Sequence, residues 1–266
     1  MMYGIPIAGT MAHSYIQAHE SEEEAFRRFS DLYPETILLV DTYDTLEGVR
    51  RVTHLAKERG ELFRVRGVRL DSGDLGELAR QSRKILDEAG LDSVTIFASG
   101  SLDEHEIARL VLEAPSIRGF GVGTNMGVSS DAPALDMAYK ITSYAGSGRL
   151  KLSKGKGILP GDKQVFRFEQ NGLAVKDVIA RRDERLNGRP LLREVMAAGR
   201  RVAELPAGLE SLRSHFREEI ARLPSEVRSL QPLRPRYPVN MSDELRRYRD
   251  EVARRVCVGS ESEESE

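Results

Sequence analysis

The chain has very little cysteine: Cys257 is its one thiol. That excludes a disulfide framework and cysteine-ligated zinc, and it fits a reduced, cytoplasmic compartment. Long hydrophobic runs are missing too. No stretch approaches the length of a membrane span, and the N-terminus lacks the charged and apolar regions of a signal peptide. Neither sign of charge is in excess, since 40 Lys and Arg balance 42 Asp and Glu to a net charge of −2. Nothing in that balance calls for nucleic acid or an anionic membrane. The five histidines (His13, His19, His54, His105 and His215) show no HExxH spacing, so no metal ligands are assigned. The lysine-rich stretch KLSKGKGILPGDK at 151–163 does not fit the P-loop pattern, because Gly157 and Lys163 are wrongly spaced and no Ser or Thr follows. It reads as a solvated basic loop or as a contact to an anionic substrate. No solenoid repeat is present.

What is present is an alternation of apolar runs and amphipathic stretches. The runs are GIPIAG (4–9), TILLVD (36–41), VRGVRLD (65–71), SVTIFAS (93–99), IRGFGVG (117–123) and YKITSY (139–144). Most are continuous, as in strands buried on both faces of a parallel sheet. Between them, 45–59 and 74–89 place apolar residues at helical spacing and close at Gly60 and Gly90; Thr45 is positioned to cap the first. SLDE at 101–104 reads as a capping box with Ser101 at N-cap. Repeated strand–helix units imply an α/β fold. Six strands are fewer than a closed barrel's usual eight, and the first begins almost at Met1. The pattern therefore fits an incomplete β/α barrel with its beginning cut off, or equally an open doubly wound sheet. Beyond residue 150 the character changes. Two β-like runs within 163–182 join at Asn171-Gly172, a hairpin signal. Helices are expected over about 190–203, 207–223 and 242–256, the last capped by Ser242, with a proline-rich extended segment at 231–238. The organisation is thus 1–150, a partial barrel; 151–258, a hairpin plus helical extension; and 259–266, an acidic disordered tail.

In a β/α barrel the chemistry sits at the C-terminal ends of the strands. Those ends carry Gly9-Thr10 followed by His13, Asp41-Thr42, Arg69 to Asp74, Ser99-Gly100-Ser101, and Gly121 to Asn125. GVGTN (121–125) is an anion cradle, in which Gly121 and Gly123 let backbone N–H groups approach a phosphate and Thr124 adds a hydroxyl, or else a tight turn without a ligand. Ser99 and Gly100 form a second such turn or simply lead into a helix cap. In RLDSGD, Arg69 can grip a carboxylate or phosphate with two prongs, and Asp71 can bind a ribose diol or help hold Mg²⁺ through water. A plain Arg–Asp pair with a helix cap fits the same residues. His13 can serve as base, nucleophile or structural hydrogen-bonder. The other histidines read as surface residues.

YGIPIAGTMAHSYIQAH, LLVDTYDT, RLDSGD, GFGVGTN and KLSKGKGILPGDKQVFR occur in this order. The set resembles the nicotinate phosphoribosyltransferases over about residues 3–200. The resemblance implies an irregular, type II phosphoribosyltransferase-like barrel, here incomplete, that works as a homodimer. It implies formation of nicotinate mononucleotide from nicotinate and phosphoribosyl pyrophosphate in NAD salvage, with coupled ATP hydrolysis and Mg²⁺. It makes His13 the transiently phosphorylated histidine, and Thr10 and Arg69 the nicotinate-binding pair. Asp71, Ser99, Gly100, Gly121, Gly123 and Thr124 take the phosphoribosyl group. The family carries a further segment before the stretch matching YGIPIAGT. A misplaced start, a non-catalytic gene remnant and a separate front polypeptide are the alternatives. An enzyme using nicotinamide is a further one, against which the cation at Arg69 counts.

Overall fold

A computed structural model describes residues 9–129, 131, 138–152, 157–202, 208–229 and 236–258. The expected first strand (4–9, apart from Gly9) and the acidic tail lie outside the described residues, as does most of the proline-rich segment. The chain forms two compact units. One comprises Met1–Pro160 with Val252–Glu266, and the other Gly161–Glu251.

In the first unit α1 (His13–Gln17) and α2 (Glu22–Leu32) precede β1 (Ile37–Leu39). Then follow α3 (Thr45–Arg59), β2 (Gly67–Leu70), α4 (Leu75–Glu88), β3 (Thr95–Ser99), α5 (Glu104–Glu113), β4 (Ile117–Gly121) and α6 (Thr124–Gly127). The four strands form one parallel sheet in the order β1-β2-β3-β4. This is an α/β fold on a parallel sheet. Leu38, Leu39 and Val40 are consecutive and all buried, as a strand covered on both faces requires. Val49, Val52 and Leu55 of α3, with Leu86 of α4 and Leu110 of α5, complete the core at helical spacing.

The caps differ from the expected ones by a residue or two. Asp44, not Thr45, is the N-cap of α3: its backbone is extended and its carboxylate accepts from Glu47 N at 2.9 Å. Asp103, not Ser101, caps α5, accepting from Glu106 N at 2.8 Å. Ser101 instead takes a left-handed conformation (φ 53°) after Gly100 (φ 94°), so the chain turns before the helix begins. Asp74 caps α4 through Glu77 N. In each case the carboxylate satisfies an orphan N–H and also complements the helix dipole.

The expected strand at 139–144 is reduced to β5 (Ser143–Tyr144), which pairs antiparallel with β6 (Ser147–Gly148). Ala145 and Gly146, at φ 50° and 74°, reverse the chain there.

The second unit is built on β7 (Lys163–Gln170) and β8 (Leu173–Arg181). They form the expected hairpin, with Asn171 and Gly172 both at positive φ. β9 (Arg189–Pro190) pairs with β7. The helix expected at 190–203 does not form. β10 (Met196–Ala197) and β11 (Arg200–Arg201) make a tight hairpin there, turned by Ala198 and Gly199. Leu192, Val195 and Met196 are about half exposed, so no apolar surface holds a helix in place. α7 (Leu209–Ala221), β12 (Val239–Met241), parallel to β8, and α8 (Asp243–Val258) follow. Ser242 caps α8 as expected, its Oγ accepting from Leu245 N. Among the described residues no helix is long and apolar enough to cross a membrane.

Candidate active site

The first unit gathers its polar strand ends at the C-terminal edge of the parallel sheet. Arg69 points from β2 and uses three of its nitrogens on neighbours. Nε donates to Ser99 Oγ at 2.8 Å, Nη1 to Thr10 Oγ1 at 2.9 Å, and Nη2 to Asp71 Oδ1 at 2.8 Å. A guanidinium has five N–H donors. One N–H on each terminal nitrogen therefore remains for a ligand oxygen.

Asp71 is the hub. Its Oδ1 also accepts from Ser99 Oγ at 2.6 Å, and its Oδ2 lies 3.6 Å from His13 Nε2. Burial pushes the carboxyl up, but the His13 ring beside it and hydrogen bonds from Ser99 and Arg69 outweigh it and hold Asp71 far below the usual carboxylate range. It is a fixed anion.

Asp41, just past β1, is fully buried. Its Oδ2 accepts from Asp71 N at 3.2 Å and from Ser72 Oγ, and its Oδ1 faces His13 Nε2 at 3.8 Å. The His13 ring, at the start of α1, is held from both sides. Nδ1 contacts Thr42 Oγ1 at 3.0 Å, and Nε2 meets Lys151 Nζ at 2.7 Å.

Beside this cluster opens a cavity of about 660 Å³. Thr10, Arg69, Asp71, Ser99, Gly100, Gly121, Gly123 and Thr124 all line it, as do Phe97 and Phe120. The eight residues singled out for binding thus share one wall system. His13 does not line it and stands behind Asp71. Asn125 Nδ2 donates to Ser101 O at 3.2 Å, tying the two glycine-bearing turns together.

Three members were not singled out from sequence. Asp41 and Thr42 were legible as a polar strand end on the same edge. Lys151 stood among the basic residues of 151–163, with no local signal separating it from the others, and it is only 5% exposed. The remaining histidines stay outside the cluster: His54, His105 and His215 are exposed, and His19 contacts Tyr15 O.

His13 Nε2 and one oxygen each of Asp41 and Asp71 lie within 4.8 Å of one another, a possible cation cluster. The donor chemistry favours Mg²⁺ on the carboxylates, since Mg²⁺ takes one or two carboxylates plus phosphate oxygens. The Lys151 ammonium already occupies the imidazole side.

Residues 1–165 match the nicotinate phosphoribosyltransferase (NAPRTase) family, and 186–249 match the nicotinate phosphoribosyltransferase C-terminal domain. Nicotinate phosphoribosyltransferase pncB2 of Mycobacterium tuberculosis is 53% identical over 243 residues, covering 91% of this chain and 52% of that protein. Nicotinate phosphoribosyltransferase of Bacillus subtilis is 38% identical over 200 residues, covering 72% of this chain and 41% of the relative. A crystal structure of nicotinate phosphoribosyltransferase from Porphyromonas gingivalis aligns with a TM-score of 0.50 at 25% identity, over 59% of this chain and 45% of that one. The chain spans about half the length of the curated relatives it matches. With matches that run through the strand ends and on into the second unit, this chain belongs to the nicotinate phosphoribosyltransferase family.

Proposed function

We propose that the chain carries the catalytic site of a nicotinate phosphoribosyltransferase, which joins nicotinate to the phosphoribosyl group of phosphoribosyl pyrophosphate in NAD salvage. One observation carries this reading: Arg69 with two N–H groups to spare, the anion Asp71 and two glycine-bearing turns line one cavity, and a histidine held between Thr42 and Lys151 stands behind Asp71. Membership of the family supports it.

Arg69 binds the nicotinate carboxylate, assisted by Thr10. A charge-assisted bond of this kind is worth about 1.5–3 kcal/mol, which favours the acid over nicotinamide. Phe97 and Phe120 offer apolar surface to the pyridine ring. Ser99 and Gly100 on one turn, and Gly121, Gly123 and Thr124 on the other, cradle the phosphate of the phosphoribosyl group with backbone N–H and hydroxyl donors. Asp71 accepts from the ribose hydroxyls. The pyridine nitrogen attacks the anomeric carbon as pyrophosphate leaves, and an oxocarbenium-like transition state develops. Positioning and the fixed charge of Asp71 carry that step more than a base does.

Asp41 and Asp71 would hold Mg²⁺ together with phosphate oxygens, and the ion supplies charge neutralisation. His13 accepts the γ-phosphoryl group of ATP, coupling ATP hydrolysis to product formation. The parallel sheet is read as an arc of an irregular β/α barrel, and the working assembly as a cytoplasmic homodimer.

The test is ATP labelled in its γ-phosphate. Label is expected on the protein, absent from His13→Ala, and formation of nicotinate mononucleotide in that variant should no longer respond to ATP. An ATP response unchanged in His13→Ala would remove His13 from this role.

A further inference from the structure

Four consecutive residues, 149–152, fasten onto the helix and turn that hold the His13 ring. Arg149 Nη1 donates to His19 O at 3.0 Å, and Gln17 Nε2 donates to Leu150 O at 2.7 Å. Leu152 N donates to Thr42 O at 3.3 Å. Between these anchors Lys151 Nζ lies 2.7 Å from His13 Nε2, across 138 positions of sequence. Gln17, Arg149, Leu150 and Lys151 are each at most 5% exposed. The lysine is therefore a built part of the site rather than a solvated loop residue.

We propose that Lys151 is a catalytic residue of the phosphoryl-transfer step, holding His13 in the tautomer with a bare Nε2 and then pairing with the phosphoryl group placed there. This rests on the phosphohistidine reading above. An ammonium has three donors and no acceptor. At 2.7 Å it meets Nε2 only through the nitrogen's lone pair, so the ring proton resides on Nδ1, where Thr42 Oγ1 accepts it at 3.0 Å. Asp71 Oδ2 and Asp41 Oδ1, at 3.6 and 3.8 Å from Nε2, would otherwise draw the ring proton to that side.

In the step itself the Nε2 lone pair forms the N–P bond while the bond from the γ-phosphorus to the bridging oxygen breaks. The electron pair leaves on ADP, and the Nδ1 proton stays where it is. The ammonium then faces the phosphoryl oxygens in place of the lone pair.

The test compares γ-phosphate labelling of the unsubstituted protein, His13→Ala, Lys151→Met and Lys151→Arg. Methionine keeps the length and apolar stem of the buried lysine. The initial labelling rate should fall about 100-fold in Lys151→Met, the scale of losing one preorganised charge stabiliser. Nicotinate binding without ATP should stay within about twofold, and Lys151→Arg, also donor-only, should recover at least about tenfold of the rate. Magnetic resonance of the labelled protein should place the phosphoryl group on Nε2. Undiminished labelling in Lys151→Met, or a phosphoryl group on Nδ1, would overturn the proposal. Loss of nicotinate binding in step with labelling, without recovery by arginine, would make Lys151 a packing residue and overturn it too. No label on the unsubstituted protein would instead overturn the phosphohistidine reading on which it rests.

Discussion

Arg69 shows how much one side chain can organise. It bonds Thr10 ahead of α1, Asp71 just past β2 and Ser99 at the end of β3, so its own position is fixed before any ligand arrives. Replacing it by glutamine removes the cation and leaves Asp71 without its guanidinium partner. Arg69→Gln should raise the nicotinate KM by about 100-fold, from the loss of about 3 kcal/mol of charge-assisted bonding. The kcat/KM preference for nicotinate over nicotinamide should collapse with it. Steady-state kinetics with both substrates reads this directly, and an unchanged preference would move the carboxylate site elsewhere. At this scale the sequence was readable where chemistry coincided with strand ends. Arg69, Asp71, Ser99 and the glycines of 121–123 sit at or just past such an end, and with Thr10 they line the cavity. Lys151 was not readable, because what sets it apart is burial against a histidine far away in the chain.

The strand–helix units were legible because apolar runs and helical periodicity seldom agree by accident. Their junctions were harder. Several residues compete to cap each helix, and backbone geometry decides among them. Asp44 wins over Thr45 because it is the last extended residue, and Asp103 wins over Ser101 because Ser101 is spent on a left-handed turn. The misread helix at 190–203 has the same lesson, since periodicity predicts a helix only where a surface exists to receive it. One junction also sets the site. Gly48 in α3 sits so close to β1 that an added Cβ would lie 2.2 Å from Val40 O, one residue before Asp41. Gly48→Ala would gain about 1 kcal/mol of helix propensity but force α3 off the strand at an overpacking penalty of about 1–3 kcal/mol or more. The expected outcome is a lower unfolding midpoint, together with slower phosphoryl labelling as the Asp41-Thr42 turn shifts. Thermal melts and the labelling assay read the two effects separately.

On the scale of the whole molecule, one buried cluster makes stability depend on pH. Glu22 of α2 is buried against Arg51 of α3 at 2.6 Å, with Glu23 of α2 on the same guanidinium and Asp41 beyond β1 near by. Burial pushes Glu22 up to about 8 from 4.5, more than Arg51 pulls it down, while Glu23 and Asp41 add to the rise. The folded chain therefore holds a proton on Glu22 that the unfolded chain releases above about pH 4.5. This contribution to stability is complete below the unfolded value and is lost as pH rises toward 8. Glu22→Gln carries no such proton. The unfolding midpoint of the variant, measured relative to the unsubstituted protein, should climb steadily between pH 5 and pH 8, and a flat difference would mean that Glu22 stays ionised in the fold.

The anchoring of residues 149–152 on α1 and on the Asp41-Thr42 turn also has a consequence in time. The chain is made from its N-terminus, so His13 emerges long before Lys151 does. Until that late segment docks, the imidazole lacks its contact with the Lys151 amine. On the phosphohistidine reading proposed above, full reactivity of His13 would wait until this contact of very high sequence separation has closed, and labelling by ATP would then report on completed folding.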